Sequence, residues 1–157
     1  MTGNGKAEHV EIVGVDSKWN PIPGTEKLFD VDTVCLAVGL NPMTELLWMS
    51  GCKFCFIPAL GGHVPLHDEN METTVKGLYV AGDVTGVEEA SSAMEEGSLA
   101  GVCAAQALGF MTEDEAGVKK AEIRARLDTL RSGMFGEGRR RSKQQQLDCM
   151  EEYRRAQ

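Results

Sequence analysis

The stretch that decides the fold is Gly77-Leu78-Tyr79-Val80-Ala81-Gly82-Asp83, an apolar run that ends in a glycine and an aspartate. Such a run predicts a strand buried on both faces, as in a parallel sheet. Residues Glu88–Leu108 then form the strongest helix pattern of the chain, and Gly109 stands where a helix-ending glycine belongs. Ligands of open α/β sheets bind beyond the carboxyl ends of strands, near helix N-termini. The stretch therefore predicts a ligand site at Gly82 and Asp83, with a purely structural turn as the alternative.

Small side chains recur along the predicted helix, at Ala90, Ala93, Gly97, Gly101, Ala104 and Ala105. A glycine inside a helix costs about 1 kcal/mol relative to alanine. Two of them predict that the helix packs closely against a sheet or a ligand.

The first part of the chain predicts a hairpin followed by a buried strand. His9–Val15 has the pattern of a strand, Asp16–Thr25 is rich in turn-forming residues, and Glu26–Val31 has the pattern of the returning strand. Thr33–Gly39 is almost continuously apolar, which again favours a strand of a parallel sheet.

Further short elements are predicted after Pro42. Thr44 could cap a helix over Glu45–Met49, and Phe54–Asn70 has the prolines and glycines of a loop with short strands. Two helices are expected from Glu113 onward, with breaks at Ser132-Gly133 and Gly136–Gly138. Helical spacing of Ile123, Leu127, Leu130 and Met134 predicts a packing stripe.

Composition bounds the kind of protein. The 157 residues carry a net charge of −8, which argues against nucleic acid or an anionic membrane as the main partner. No apolar run approaches the roughly 18 residues of a membrane-spanning helix, and the first residues do not resemble a signal peptide. Five cysteines form an odd set, which favours reduced thiols and a cytoplasmic location.

Several motifs together resemble the pyridine-nucleotide-dependent flavoprotein oxidoreductases. Thr74–Asp83, with Glu96-Gly97 further on, is similar to the second FAD-binding motif of that family, and Asp32–Pro42 resembles the return from the NAD(P) domain to the FAD domain. A narrower resemblance rests on four further segments: Glu45-Leu46-Leu47, Gly51-Cys52, Pro58–Gly62 and Val64-Pro65. These segments resemble the flavin subunits of opine oxidases, hydrogen cyanide synthase and dye-linked amino-acid dehydrogenases, a branch related to the sarcosine oxidase alpha subunit.

The resemblance implies an α/β fold: a partial Rossmann-like FAD-binding domain with a terminal β-hairpin from the NAD(P) domain and a C-terminal helical tail. It divides the chain into residues 1–42 (the NAD(P)-domain remnant), 43–110 (the FAD-domain part) and 111–157 (the tail). It further implies FAD as cofactor and oxidation of an amine or amino-acid-like small molecule. Asp83 would bind the flavin ribitol, and the residues expected to contact FAD are Gly82, Asp83, Val84, Ala90, Ser91 and Ser92.

Two features depart from the family pattern. No Gly-x-Gly-x-x-Gly follows a strand, and Gly3-Asn4-Gly5 has the character of a tail, so nothing offers a site for the FAD pyrophosphate. We therefore expect the isolated chain to bind FAD weakly or not at all, and NAD(P) only in a full-length enzyme. The cysteine cluster of a two-iron–two-sulfur centre is also missing, because the tail carries only Cys149.

The remaining polar motifs are interpreted more simply. Cys52-Lys53-Phe54-Cys55 has redox spacing but lacks a second pair, so a structural role is favoured over a redox or metal site. We expect His63 and His67 on the surface, although one could face the flavin or substrate. Glu88 and Glu89 are expected in solvent. The run Arg139–Lys143 is interpreted as a solvated helix start, with docking to an acidic partner or a phosphate as the alternative.

Three functions remain in competition. The first is a segment of an FAD-dependent oxidoreductase that contributes the flavin and ribitol side of the site, with no assignable catalytic residue and no metal. The second is a non-catalytic module that completes a partner flavoprotein chain or forms homo-oligomers, since an incomplete sheet leaves edges to be covered. The third is a thiol-redox protein that uses Cys52 and Cys55.

Overall fold

The computed structural model describes residues 4–157, so the predicted tail at Gly3–Gly5 begins outside the described part. The chain divides into a unit that ends at Val38 and a unit that spans Gly39–Gln157. In the first unit, strands β1 (His9–Ile12) and β2 (Lys27–Asp30) pair antiparallel. The predicted hairpin is therefore confirmed, with β1 ending before Val15.

The second unit contains a small hairpin and four helices. Helix α1 (Glu45–Met49) is followed by strands β3 (Phe54–Ile57) and β4 (Gly62–Pro65), which pair antiparallel across a 3-10 turn at Pro58–Leu60. Helices α2 (Ala90–Ala107), α3 (Glu113–Leu130) and α4 (Gly133–Arg155) complete the unit. The predicted helices after Thr44 and after the Gly82 turn are confirmed, and Gly109 has the expected left-handed conformation at φ +76°.

The two predicted buried parallel strands are wrong. Residues 33–39 form no strand, and the side chains of Leu36 and Val38 are 80% and 87% exposed. In Gly77–Gly82, only Tyr79 makes a bridge, to Glu72. A parallel strand needs hydrogen-bonding neighbours, and the described residues form only two-stranded antiparallel sheets.

The structure bears on two expectations, one about helix glycines and one about a helix break. At Gly97 and Gly101 no atom beyond the neighbouring residues and backbone of α2 lies within 4 Å of the position that a Cβ would take. No described element therefore packs closely there, and close approach of a ligand stays a prediction. The predicted break at Gly136–Gly138 is absent, because α4 runs through it. Instead, a Cβ at Gly136 would lie 2.5 Å from the carbonyl carbon of Arg131, so this glycine lets α4 start close to the end of α3.

The largest apolar cluster lies between α2 and α3. Leu99 and Cys103 of α2 pack with Ile123 and Leu127 of α3, and Met71 joins them from the preceding loop. The predicted stripe is therefore right for Ile123 and Leu127. It is wrong for Leu130 and Met134, which are exposed; α3 ends at Leu130, and Met134 belongs to another helix.

Candidate functional site

A 3-10 turn, Gly82–Thr85, links the Gly77–Ala81 segment to the approach of α2. Gly82 has φ +75°, a conformation that side-chain-bearing residues rarely adopt, and a Cβ there would lie 3.4 Å from the Cβ of Ala93. The next residue, Asp83, is exposed. Its carboxylate accepts no hydrogen bond and makes no ion pair within residues 4–157. The turn therefore presents an acceptor that is available to a ligand.

Glu96 fastens this turn to α2. Its side chain is buried, with the residue 2% exposed. Oε2 accepts hydrogen bonds from the backbone N–H of Gly82, at 2.8 Å, and from Oγ1 of Thr85, at 2.9 Å. Because one carboxylate oxygen holds both ends of the turn, the position of Asp83 is set by a residue of the helix.

The other oxygen of Glu96 joins a buried ion network. Oε1 lies 2.9 Å from Nζ of Lys143 and also pairs with the guanidinium of Arg131. Burial alone raises the pKa of Glu96, but Lys143 and Arg131 overcome this effect and hold the pKa below its ordinary value. Burial in turn lowers the pKa of Lys143. The carboxylate in direct contact favours the ammonium, so we regard the pair as ionised at neutral pH.

The same network corrects two expectations of exposure. The side chain of Glu88 is 5% exposed and pairs with Arg131 and Arg139, whereas Glu89 is exposed as expected. Lys143 is buried and donates to the carbonyl of Thr85 at 3.0 Å. The prediction of a solvated run at Arg139–Lys143 is therefore wrong at Lys143. Charged residues so far apart in sequence give no local signal that they meet, which is why sequence reasoning missed this network.

The six residues expected to contact FAD occupy two neighbouring places. Gly82, Asp83 and Val84 lie on the 3-10 turn, and Val84 packs on the apolar cluster of Leu47, Cys52 and Val80. The others form the first turn of α2, where Ala90 and Ser91 are exposed and Ser92 is buried. Which of these residues binds a cofactor stays a prediction.

A cavity of about 390 Å³ adjoins the start of α2. Ser92 is the one predicted cofactor residue that lines it, together with Glu88, Glu89, Arg131 and Arg139. The N-cap residue Glu89 makes no side-chain hydrogen bond to the helix. The first amides of α2 therefore have no side-chain cap. Their N–H groups remain available as donors to an electron-rich ligand.

The two histidines of the 60–70 region differ. His63 is exposed, as predicted, and lies edge-on to Phe56. The prediction of exposure is wrong for His67, which is 4% exposed. Its Nδ1 donates to the carbonyl of Asp68 at 2.8 Å, and its Nε2 has no hydrogen-bond partner among the described residues. Burial lowers the pKa of His67, so the ring is neutral at pH 7.

The cysteines do not form one dithiol environment. Cys52 is buried with Leu47 and Val80, as expected for a structural role. Cys55 packs beside Ile57, Leu60 and Val64. Burial and the neighbouring Cys149 thiol of α4 raise the pKa of Cys55 to about 12. The thiol that affects the titration of Cys55 is therefore that of Cys149, a residue that the C-x-x-C spacing did not suggest.

Neither a membrane span nor a metal centre is found among residues 4–157. No helix in this range is long and apolar enough to cross a membrane. No group of three or more His, Cys, Asp and Glu side chains in the same range is placed to hold a metal ion.

The structure thus places a left-handed glycine and an exposed aspartate on the turn that precedes α2. The family model described as pyridine nucleotide-disulphide oxidoreductase matches residues 5–97, more than half of the chain. The chain belongs to this family of flavoprotein oxidoreductases, whose members have a Rossmann-like domain and are associated with FAD and NAD(P).

Individual relatives are similar at modest identity. An opine oxidase subunit of Rhizobium meliloti is 28% identical over 112 residues, which are 71% of this chain and 20% of that protein. NADH oxidase of Methanocaldococcus jannaschii is 32% identical over 105 residues, which are 60% of this chain and 20% of that protein. The chain therefore spans about a fifth of the length of these relatives. No solved structure matches it significantly.

Proposed function

We propose that this chain contributes the ribitol and flavin side of the FAD site in an oxidoreductase that acts on an amine or amino-acid-like small molecule. The observation that carries the proposal is the exposed carboxylate of Asp83, held on a turn whose first residue, Gly82, is fixed to α2 by Glu96. The similarity to the opine oxidase subunit supports the substrate class.

The residues of the turn and of α2 fit the polar groups of a flavin nucleotide. Asp83 would accept hydrogen bonds from ribitol hydroxyls, because its carboxylate has no partner within the described chain. The backbone amides of Val84 and of Ala90–Ser92 would face the phosphate or the flavin edge, where a helix N-terminus favours electron-rich groups. Hydride transfer from the substrate is the chemistry that FAD supplies when bound, and the chain's part is to position it.

The test is flavin content in the assembled protein. We would purify the tagged chain from its source cells with whatever chains accompany it, and compare Asp83→Ala with the exposed control Asp114→Asn on α3. Loss of a charge-assisted hydrogen bond is expected to weaken FAD binding about tenfold or more, whereas the control keeps its flavin. An assembly without flavin, or an Asp83→Ala variant that retains it fully, would overturn the proposal.

The isolated 157-residue chain provides a second measurement. We expect calorimetric titration with FAD to give weak binding or none, because the sequence offers no glycine-rich turn for the pyrophosphate. Stoichiometric flavin absorbance in the purified isolated chain would contradict this expectation.

A second candidate function is association with a complementary flavoprotein chain or with a second copy. It is favoured by the apolar segment 33–43, in which Leu36, Val38, Leu40 and Met43 are each more than 70% exposed. Exposed apolar side chains that are clustered in this way often mark a surface that another protein chain contacts. Sedimentation of the chain at several concentrations tests this candidate function, and Val38→Lys should weaken the association. The candidate would be excluded if the chain were strictly monomeric and no flavoprotein were purified with it.

A further inference from the structure

Two thiols that are far apart in sequence are neighbours in the second unit. Cys55 lies on β3 and Cys149 on α4, and the two side chains interact directly. Neither residue is buried, whereas Cys52 and Cys103 are, and Cys35 belongs to the first unit. Cys55 and Cys149 are therefore the two cysteines of the second unit that are not buried, and they lie side by side.

The packing of α4 against the β3–β4 hairpin holds this pair together. Gln146 of α4 is 0% exposed and donates through Nε2 to the carbonyl of Pro65 at 2.8 Å. Pro65 is the register partner of Phe54, the residue before Cys55. Cys149 follows Gln146 by three positions, so the two side chains lie on one face of α4. A hydrogen bond that involves neither thiol thus brings the two cysteines to the same place.

Arg139 attaches α4 to the same hairpin at a second point, where its Nη1 donates to the carbonyl of Ala59 at 2.7 Å. A bond between the two sulfur atoms would consequently join elements that are already packed against each other. We propose that Cys55 and Cys149 are a site of reversible oxidation, at which hydrogen peroxide forms a disulfide that ties the helical tail to the β3–β4 hairpin.

One molecule of hydrogen peroxide balances the reaction. Burial and the Cys149 thiol raise the pKa of Cys55 to about 12, so the first attack on the peroxide falls to Cys149. The sulfur of Cys149 takes one peroxide oxygen to give a sulfenic acid, and the other oxygen leaves as water. Cys149 then no longer supplies the charge that raises the pKa of Cys55.

The disulfide forms in the second step. The sulfur of Cys55 attacks the sulfur of the sulfenic acid, and the S–O bond breaks as the S–S bond forms. The hydroxyl group takes the thiol proton of Cys55 and leaves as a second water. Two electrons have then passed from the two sulfur atoms to the peroxide, and a dithiol can return them by thiol–disulfide exchange.

The test is peptide mapping of the full 157-residue chain after oxidation. The reduced protein is treated with hydrogen peroxide, free thiols are blocked with N-ethylmaleimide, and the monomeric fraction is digested with trypsin without reductant. Cleavage after Lys53 separates Cys52 from Cys55, so a link between these two residues has a mass of its own. We expect residues 54–76 to be linked to residues 144–154 at least about tenfold more abundantly than any other pair, since adjacent thiols need no chain motion to meet. Dithiothreitol should remove the link.

Variants and a stability measurement complete the test. Cys149→Ser should abolish the link, whereas the exposed control Cys35→Ser should retain it. The urea midpoint should rise on oxidation in wild type and in Cys35→Ser, and not in Cys149→Ser, because a cross-link restrains the unfolded chain. Absence of the link in wild type, a Cys52–Cys55 link in its place, or an unchanged midpoint of the oxidised wild type would each overturn the proposal.

Discussion

The carboxylate of Glu96 accepts a hydrogen bond from the backbone N–H of Gly82, at 2.8 Å, across 14 positions of sequence. Through this contact a buried residue of α2 determines where the following residue, Asp83, is presented. The same carboxylate meets Lys143 of α4 and Arg131 at the end of α3. The predicted flavin-binding turn and the helical tail therefore share one buried anion.

Replacing Glu96 is expected to destabilise the second unit strongly. Glu96→Gln removes one of the two buried carboxylates beside Lys143 and Arg131 and leaves only Glu88 as their charge partner. Breaking a buried pair costs up to about 3–5 kcal/mol. The free energy of unfolding in urea measures the effect. The control Glu151→Gln removes an exposed pair with Arg155 and should change stability by about 0.5 kcal/mol or less. Equal effects of the two variants would show that the network contributes little.

His67 should make stability depend on pH. Burial lowers its pKa below the ordinary value of 6.5, so the unfolded chain takes up a proton at a higher pH than the folded chain does. Stability is thus lost as the pH falls below 6.5, by up to 1.4 kcal/mol per pH unit, until the folded pKa is reached. The neighbouring groups Glu96, Asp68 and Lys143 contribute to the shift. The depressed pKa of Glu96 acts only below 4.5, outside this window.

Urea unfolding at a series of pH values from about 7 to 5 checks the prediction for His67. His67→Gln should show a shallower loss of stability than wild type, whereas the exposed His63→Gln should keep the wild-type slope. A slope that is unchanged in His67→Gln would assign the pH dependence to other groups.

Gly86, which follows the 3-10 turn, should tolerate no side chain. It has φ +119°, and a Cβ there would lie 2.9 Å from Cβ of Leu60, a buried residue. Gly77 also has a left-handed conformation, at φ +80°, but has open space around it. Gly77→Ala should therefore cost only the backbone strain, about 1–2 kcal/mol, and Gly86→Ala about 1–3 kcal/mol more. Thermal and urea denaturation compare the two, and equal losses would contradict the packing argument.

Cys55 should react slowly with alkylating agents. A pKa of about 12 leaves very little thiolate at pH 8, and the thiolate is the reactive form. Mass spectrometry of iodoacetamide-treated protein should show alkylation of the exposed Cys35 well before that of Cys55. Cys149→Ala should speed the reaction at Cys55, because it removes a neighbour that raises the pKa. Ready formation of a Cys52–Cys55 disulfide in air would instead support the thiol-redox function.

Local chemistry made much of the fold predictable. The helix over 90–107, its end at Gly109 and the hairpin before Val31 follow from periodicity and turn residues, which act over a few positions. The apolar runs at Thr33–Gly39 and Gly77–Gly82 have the composition of buried strands. Composition does not supply the hydrogen-bonding neighbours that a strand needs, and the described residues pair neither run into a sheet.

The sequence by itself determined the family and the Gly82-Asp83 motif, because a short motif is a local property. Only the tertiary structure decided that Glu96, Lys143 and Arg131 are buried together and that His67 is enclosed. Lys143 and Thr85 meet across 58 positions, and a charge becomes costly or favourable according to what surrounds it after folding. The burial and pairing of polar groups are set by packing between elements that are distant in sequence, so they cannot be predicted from a local sequence pattern.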